Sequence, residues 1–338
     1  MIRTAILGAS GYVGGELLRL LAAHPAMVAA RLFGESKAGQ SLGAVHPHLA
    51  PAYPQATIER FEERALDGID LVFLALPHGE SQKIAGSLFE RGIRIVDLGA
   101  DFRLKDPEDY ARSYGEAHRA PELIERFVTG IPEFHRAAIA GATAVAAAGC
   151  YPTAAILALK PLVDAGLVKP GSIVVDAASG VSGAGRATSE ATAFNTVTGS
   201  LSAYALLNHR HTSEMEQALG SPLLFTPHLA PMSRGILATC YAEPTREVAP
   251  DEPIELLRAA YAGERFVHVT DLPPATKWVA GSNAAQVTAR VDPRTGRLLA
   301  LAAIDNLGKG AAGQMIQCAN LMTGLDEGAG LSACGVFP

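Results

Sequence analysis

The chain has 338 residues, of which 49% are hydrophobic and 18% are charged, and its formal net charge is −6. This balance supports a sizeable core and excludes an intrinsically disordered chain. No basic block is present, which argues against a nucleic-acid-binding protein. At roughly 100–200 residues per domain, the length predicts two domains.

Neither a targeting segment nor a membrane span is predicted. The first residues, MIRTAILGAS, lead directly into a strand and lack a basic stretch followed by an apolar one. The apolar segments are shorter than the ~20 residues that a membrane-spanning helix needs. The cysteines match neither a zinc pattern nor a dense disulfide framework, so we expect no metal site and a cytoplasmic protein. They are Cys150, Cys240, Cys318 and Cys334.

Short apolar segments alternate with helical ones over the first 150 residues. The pattern predicts strands over 3–7, 27–33, 71–76 and 93–98, and helices over 15–24 and 81–91. Continuous apolar strands that alternate with helices indicate a parallel sheet covered on both faces. The predicted fold class is therefore α/β, with an N-terminal Rossmann, doubly wound sheet.

The first predicted strand leads into a turn with glycines at three-residue intervals, a G-x-x-G-x-x-G variant of the dinucleotide fingerprint. Glycine lets the backbone approach a pyrophosphate, and the following helix offers unpaired N–H groups to it. The alternative is a glycine-rich turn that binds nothing. The predicted cofactor-binding residues of this turn are Gly8, Ser10, Gly11, Tyr12, Val13 and Gly14.

The end of the second predicted strand bears on the choice between NAD and NADP. Glu35 could hold the ribose hydroxyls of NAD, as an acidic residue at this place often does. Ser36 and Lys37 could instead hold the 2′-phosphate of NADP, and this pair favours NADP. The alternative for Lys37 is a solvated loop cation.

Acidic and basic residues follow the strand predicted over 93–98. Because ligands bind at the carboxyl ends of parallel strands, Arg103 is a candidate to hold a substrate carboxylate or phosphate. A salt bridge from Arg103 to Asp97 or Asp101 is the competing interpretation.

Cys150 is the candidate nucleophile. It stands at the expected start of a helix, with Gly149 before it and Pro152 in the first turn, where a missing N–H costs nothing. Free N–H groups and the helix dipole lower a thiol pKa, and the same groups can stabilise an oxyanion. The alternative is a buried, inert cysteine.

The pattern changes after Cys150 toward antiparallel strands, predicting a second α+β domain with a mixed sheet and helices on one face. Strands are predicted over 172–176, 237–242, 266–269, 286–291 and 298–305, a loop over about 178–202, and a helix over 309–322. Within the loop, the stretch from Ser179 to Arg186 offers hydroxyls, bare N–H groups and a cation that suit phosphate. A flexible hinge is the competing interpretation.

Two histidines and an arginine precede a helix that is predicted to begin near Thr212. An imidazole there could serve as the acid or base of a thiolate enzyme. His209 and His211 would face opposite sides of an extended chain, so only one of them is expected to point at the thiol. A plain surface cap is the alternative.

Seven stretches spread over the chain resemble the N-acetyl-gamma-glutamyl-phosphate reductase family, which is related to aspartate-semialdehyde dehydrogenase and glyceraldehyde-3-phosphate dehydrogenase. GCYPT and SGVSGAGR are the most specific of the matching residues. The stretches are GASGYVGGELLRLL from Gly8, DLGADFRL from Asp97, AGCYPTAAILAL from Ala148, SGVSGAGR from Ser179, HRHTSEMEQ from His209, FTPHLAPMSRGILAT from Phe225 and DNLGKGAAGQ from Asp305.

The resemblance implies an NADPH-dependent enzyme of arginine biosynthesis. Its nucleophile would be Cys150, which forms a thioester with N-acetyl-glutamyl 5-phosphate, expels inorganic phosphate and yields the 5-semialdehyde. The acid/base histidine would lie within the HRH stretch, with His209 favoured over His211. Arg103, Ser179 and Tyr204 would lie near the substrate.

The resemblance also implies the domain organisation. An NADP-binding Rossmann domain would span 1–149 and be completed by a C-terminal helix over 309–338, and a catalytic and dimerisation domain would span 150–308. A homodimer or homotetramer is expected, without nucleic-acid or membrane partners.

Three other functions remain open at this point. The first is the related reduction of a carrier-protein-linked aminoadipyl phosphate in lysine biosynthesis, since the segment Leu206-Leu207-Asn208 fits neither group clearly. The second is a non-catalytic NADP-binding regulatory protein, against which the intact Cys150 and HRH argue. The third, a dehydrogenase of the glyceraldehyde-phosphate type, is disfavoured by the GCYPT context.

Overall fold

The computed structural model describes all 338 residues, which form thirteen strands and ten α-helices. The strands are β1 Ile2–Leu7, β2 Met27–Phe33, β3 Leu71–Leu74, β4 Arg94–Asp97, β5 Phe127–Gly130, β6 Ala144–Ala147, β7 Ile173–Gly180, β8 Ser202–Ala203, β9 Leu223–Ala230, β10 Ile236–Ala242, β11 Val267–Val269, β12 Ala285–Val291 and β13 Leu298–Ile304. The helices are α1 Tyr12–Leu21, α2 Leu42–Val45, α3 Ser81–Glu90, α4 Pro107–Tyr114, α5 Pro132–Ala140, α6 Cys150–Asp164, α7 Phe194–Val197, α8 His211–Leu219, α9 Glu252–Ala260 and α10 Gly313–Met322.

The chain divides into two compact units. The first unit contains residues 1–148 and 311–331, and the second contains residues 149–310 and 332–338. No helix in either unit combines the length and the apolar character that crossing a bilayer requires.

The first unit is built on a six-stranded sheet in the order β2-β1-β3-β4-β6-β5. Every neighbouring pair is parallel, which confirms the predicted doubly wound sheet. Alternate residues of β1 face opposite layers: Ile6 packs in one core with Leu17 and Ile316, and Leu7 packs in another with Leu88. Both faces are therefore covered, as the continuous apolar strands predict.

The second unit is built on a seven-stranded sheet in the order β11-β12-β13-β10-β7-β9-β8. It is mixed, as predicted, because β7 pairs parallel with β9 and antiparallel with β10. The antiparallel pairing expected for the strand near residue 267 is wrong, since β11 pairs parallel with β12. The predicted end of β7 at residue 176 is also wrong: the strand continues to Gly180, so Ser179 lies in a strand and not in a loop.

Helices pack against one face of the second sheet and leave the other face more exposed. The cross-strand neighbours Val175 and Cys240 are buried on the helix-covered face. Their sequence neighbours Val174 and Tyr241, which also pair, lie on the opposite face, where Tyr241 is 38% exposed. The sheet therefore has one face in the core and one at the surface of the unit.

The C-terminal helix ends at residue 322, as its sequence pattern predicts, and is shorter than the helix over 309–338 that the resemblance implied. A π-helical turn over Gly308–Ala312 precedes α10, which ends at Met322 and not at residue 338. Residues 332–338 pack instead in the second unit, where the Val336 N–H donates to the carbonyl of Ala280 at 2.8 Å. This tail carries no helical periodicity, and only its tertiary contacts fix its path.

Candidate active site

Cys150 is the first residue of α6, as the sequence predicts. Gly149 is the N-cap, with φ −65° and ψ 158°, and the first intrahelical bond runs from the Thr153 N–H to the Gly149 carbonyl at 2.9 Å. The amides of the first turn therefore point out of the helix end around a half-buried thiol. This is the environment that favours a thiolate.

A cavity of about 360 Å³ in the second unit opens over this cysteine. Five of the predicted site residues line it together: Cys150, Ser179, Tyr204, His209 and His211. Further lining residues supply hydroxyl groups and a single cation; they include Tyr151, Ser189, Thr192, Ser202 and Arg210. Tertiary structure thus gathers the five predicted residues, which are up to 211 − 150 = 61 positions apart, into one pocket.

The expectation that the two histidines face opposite sides of an extended chain is wrong. His209 and His211 both line the cavity, with ring centroids 4.8 Å apart. The reason is the backbone between them: Arg210 has φ −58° and ψ −22°, so the chain already turns helically where an extended segment was assumed. Side chains two residues apart then no longer point in opposite directions.

His209 is held as a neutral imidazole with a defined tautomer. Burial, helped by the charge of Arg210, lowers its pKa to about 4. The backbone N–H of His211 donates to His209 Nδ1 at 3.2 Å, so the ring proton of the neutral form is on Nε2. At neutral pH, His209 is consequently a hydrogen-bond donor through Nε2.

Aromatic rings enclose this imidazole. Tyr151, Tyr204 and Phe225 lie edge-on to His209, with centroids 5.6, 5.6 and 5.2 Å away. This apolar enclosure is the source of the desolvation that disfavours the imidazolium.

A chain of hydroxyl groups runs along the cavity wall. Tyr204 Oη donates to Tyr151 Oη at 3.1 Å, and Tyr151 Oη donates in turn to the carbonyl of His228 at 3.1 Å. Burial raises the pKa of both phenols, so both stay protonated. Ser179 is buried nearby, and its Oγ donates to the Gly180 carbonyl at 3.0 Å.

Two residues outside α6, Glu214 and Gly310, contact the start of this helix and hold it in place. The Gly149 N–H donates to the Glu214 carboxylate on α8 at 2.8 Å. Gly310 packs directly against the cysteine, since a Cβ placed on it would lie 2.9 Å from Cys150 Cβ and 3.3 Å from its Cα. The absence of a side chain at Gly310 is therefore a condition for the observed position of the nucleophile.

In the first unit, the glycine turn joins β1 to α1, which begins at Tyr12 and not at the predicted residue 15. Gly8 has φ +92°, and a Cβ on Gly14 would lie 2.3 Å from the Gly8 carbonyl oxygen, so the fold itself requires both glycines. A Cβ on Gly11 would meet only that oxygen, at an ordinary 3.4 Å. The fold does not need a glycine at position 11, whereas the close approach of a pyrophosphate would require one.

The predicted 2′-phosphate residues lie at the end of β2. Ser36 and Lys37 are exposed there, and Ser10 of the turn lies close by, since a Cβ on Gly34 would be 3.0 Å from its Oγ. A parallel β-bridge between Phe33 and Glu59 places the segment around residue 59 beside the end of β2. In that segment, Arg60 Nε lies 3.9 Å from Glu35 Oε2. The cationic groups near this strand end therefore include a residue that sequence reasoning missed.

Arg103 is also in the first unit, and it is buried. Its Nη2 donates to the Leu98 carbonyl at 2.6 Å, and its charge acts on Asp97. Asp97 accepts hydrogen bonds from Ser81 Oγ at 2.8 Å and the Gly99 N–H at 2.7 Å, and burial raises its pKa to about 7. Arg103 thus stands beside a strongly perturbed carboxyl group at the carboxyl end of β4.

Sequence comparisons identify the family. Residues 3–142 match the family described as semialdehyde dehydrogenase, NAD binding domain, and residues 150–306 match the semialdehyde dehydrogenase dimerisation domain. The N-acetyl-gamma-glutamyl-phosphate reductase of Desulforudis audaxviator is 47% identical over 349 residues, and the one of Geobacillus stearothermophilus is 43% identical over 346, each covering 100% of both chains. The chain belongs to the N-acetyl-gamma-glutamyl-phosphate reductase family.

The fold agrees with this family assignment. Aspartate semialdehyde dehydrogenase II of Vibrio cholerae, complexed with ASA, superposes with a TM-score of 0.71 at 18% identity, covering 96% of this chain and 98% of that one. The Candida albicans aspartate semialdehyde dehydrogenase with NADP has the same TM-score at 16% identity and the same coverage. The predicted family, fold class and oxidoreductase activity are confirmed, and the nucleotide is a nicotinamide dinucleotide.

For this reductase family member, sequence reasoning missed four residues around the nucleophile. They are Tyr151, Arg210, Glu214 and Gly310. Tyr151 and Arg210 stood inside motifs already singled out, next to Cys150 and between the two histidines. No sequence signal placed Gly310 against Cys150, because the two are separated by 160 residues and meet only in the folded unit. Arg186 is exposed and does not line the cavity, although its motif suggested phosphate binding.

Proposed function

We propose that this chain reduces N-acetyl-glutamyl 5-phosphate to N-acetyl-glutamate 5-semialdehyde and phosphate, with NADPH as reductant and a thioester on Cys150 as intermediate. The observation that carries the proposal is the thiol at the tip of α6, inside a cavity with two histidines and several hydroxyl groups. The relatives that match the whole chain bear the name of this reductase. The first unit would bind the dinucleotide, and the second would carry the chemistry.

The first step is acyl transfer to sulfur. The Cys150 thiolate attacks the acyl carbon, a C–S bond forms, and the bond to the phosphate oxygen breaks with its electron pair leaving on phosphate. The outward-facing amides of the first turn of α6 stabilise the oxyanion of the tetrahedral intermediate, as well as the thiolate. The proton consumed by the overall reaction goes to the departing phosphate.

The second step is reduction of the thioester. The nicotinamide, when bound, supplies a hydride to the thioester carbon. The resulting alkoxide collapses, the C–S bond breaks, and the aldehyde and the Cys150 thiolate are released. No net proton reaches the substrate oxygen, so a neutral hydrogen-bond donor is sufficient. His209 meets this requirement, because its pKa is about 4 and its Nε2 carries the proton.

The substrate proposal is tested in the oxidative direction. Steady-state kinetics are measured with N-acetyl-glutamate semialdehyde, NADP and phosphate, and with the one-carbon-longer semialdehyde as comparison. We expect turnover with the first and a kcat/KM at least tenfold lower with the second. Turnover only with a carrier-bound aminoadipate semialdehyde would show that the protein catalyses the reaction of lysine biosynthesis instead. No turnover with any aldehyde would favour a regulatory protein.

The residue roles are tested by substitution. Cys150→Ser should abolish reduction and leave NADP binding nearly unchanged, because the thiolate is needed for both chemical steps. His209→Asn should slow turnover far more than His211→Asn, since the side chain of His209 stabilises the oxygen while the backbone N–H of His211, retained in the variant, orients it. Retained turnover in Cys150→Ser, or the reverse order of the two histidines, would contradict the assignment.

The preference for NADP rests on the end of β2. Ser36 and Lys37 are exposed there, and Arg60 lies alongside, so a 2′-phosphate would meet a hydroxyl and two cations. Lys37→Ala should weaken NADP binding more than NAD binding, measured by fluorescence titration or by isothermal calorimetry. An equal loss for both nucleotides would show that the 2′-phosphate is held elsewhere.

We also propose that the outer face of the second sheet forms a homo-oligomer interface. The register aligns Leu224, Val174, Tyr241 and Leu299 in one row across β9, β7, β10 and β13. Leu224 and Tyr241 are 47% and 38% exposed, an unusual apolar row for a solvated sheet face. The family description of this region as a dimerisation domain supports the proposal.

The oligomer is tested by light scattering coupled to size exclusion. The wild type should elute as a dimer or tetramer, and Tyr241→Glu should shift it toward monomer because a charge enters the apolar row. Arg294→Glu, in an exposed turn of the same unit, serves as the control for a charge change elsewhere. A monomeric wild type would contradict the proposal.

A further inference from the structure

The cavity over Cys150 contains one permanent cation. Among its lining residues only Arg210 is a lysine or arginine, and none is an aspartate or glutamate. The neighbouring imidazole does not add to this charge, because burial and the charge of Arg210 keep His209 neutral. Arg210 is therefore the lining residue whose positive charge does not depend on pH.

Arg210 lines the same cavity as Cys150 and is exposed to solvent. Cys150 is half-buried and Tyr151 almost fully buried. Tyr204 and His209 both contact Tyr151, and the charge of Arg210 acts on both of them. Tyr204 also lies within electrostatic range of the Cys150 thiol, so the thiol and the guanidinium share this neighbour.

The proposed substrate carries an anion at each end. Its phosphate is bonded to the acyl oxygen beside the carbon that sulfur attacks, so it stays near Cys150. Its α-carboxylate is four carbon–carbon bonds away, about 5 Å from standard bond lengths. With the acyl carbon at the thiol, this carboxylate would lie elsewhere in the cavity, whose lining offers it Arg210 as the one permanent cation.

We propose that Arg210 binds the α-carboxylate of the substrate and thereby selects α-amino-acid semialdehydes. The inference rests on the proposed function and adds a residue that determines specificity. A guanidinium suits this task because its planar fork matches a carboxylate in a bidentate pair, which an ammonium group does not reproduce. The hydroxyl groups of the cavity lining are then left for the phosphate.

The test uses the oxidative reaction and two aldehydes. N-acetyl-glutamate semialdehyde has the carboxylate, and 4-acetamidobutanal is the same molecule without it. For Arg210→Gln, we expect kcat/KM for the first aldehyde to fall about 10- to 100-fold, the range of a lost charge-assisted hydrogen bond. The kcat/KM for 4-acetamidobutanal and the KM for phosphate should both stay within about threefold of the wild-type values.

Two further variants sharpen the comparison. Arg210→Lys keeps the positive charge but loses the planar guanidinium. Its kcat/KM for N-acetyl-glutamate semialdehyde should lie between those of the wild type and Arg210→Gln. Arg294→Gln removes an arginine that pairs with Asp292 in a distant exposed turn, and it should leave all kinetic values unchanged. Circular dichroism and the melting temperature of each variant check the fold.

The outcomes separate this inference from the function on which it rests. Absence of wild-type turnover with N-acetyl-glutamate semialdehyde would overturn the proposed function. With wild-type turnover present, a rise in the phosphate KM alone would place Arg210 on the phosphate and overturn the inference. An equal loss for both aldehydes would also overturn it, because a general effect on the active site does not depend on the carboxylate.

Discussion

The contact between Gly310 and Cys150 gives the most direct test of how the fold places the nucleophile. Gly310 has a backbone conformation that alanine can adopt, so Gly310→Ala adds a methyl group without straining the backbone. The added methyl group would lie 2.9 Å from Cys150 Cβ, whereas ordinary contacts begin at 3.4 Å. The cysteine must therefore move by at least 3.4 − 2.9 = 0.5 Å, or the turn must move away by as much.

The size of the effect follows from this displacement. A misplacement of about 1 Å of a reacting group can cost about 10²-fold in rate, so a shift of 0.5 to 1 Å should lower kcat about 10- to 100-fold. Overpacking of this kind also costs typically about 1–3 kcal/mol of stability. We thus expect a folded protein with a modestly lower melting temperature and a much lower turnover.

The assay combines kcat with the rate of Cys150 alkylation by iodoacetamide, which reports on the thiol without substrate. Gly43→Ala is the matched control, because its methyl group would meet Ala50 Cβ at 3.1 Å in the first unit and should leave kcat unchanged. If Gly310→Ala loses stability but keeps kcat within twofold, Gly310 serves packing alone and the reasoning is refuted.

Three other predictions concern titrating and hydrogen-bonding groups. Burial raises the pKa of Asp97 to about 7 from about 3.9 when unfolded, so the native state binds more protons between these values and unfolding free energy falls as pH rises from 4 to 7. Asp97→Asn should flatten that decline in urea denaturation; an unchanged slope would show that another group causes it. The His209 ring should titrate in NMR near pH 4, assigned by its loss in His209→Asn, and a midpoint near 6.5 would contradict its desolvation. Tyr204→Phe, which removes the donor to Tyr151, should lower kcat/KM about 3- to 10-fold, the range of a neutral hydrogen bond, and no change would show that this hydroxyl does not organise the cavity.

The sequence predicted the elements whose signal is local. The turn from Gly8 to Gly14 and the start of α6 at Cys150 are read from the order of residues, since tight turns and helix starts depend on neighbours in the chain. The sequence did not predict β6, because this short run of alanine and valine over Ala144–Ala147 has no periodicity of its own. The extension of β7 to Gly180 was missed for a related reason, because small residues there adopt a strand only through pairing with β9 and β10.

What the sequence determined by itself is therefore the chemistry: a thiol at a helix start, two imidazoles and a glycine turn. What only the tertiary structure decided is their arrangement. It placed His209 and His211 on the same cavity, fixed the His209 tautomer through the His211 N–H, and brought Gly310 against Cys150. The physical reason is that the sequence specifies the chemistry of each side chain directly. The distances between side chains and the desolvation of ionisable groups arise instead from packing between segments that are remote in sequence.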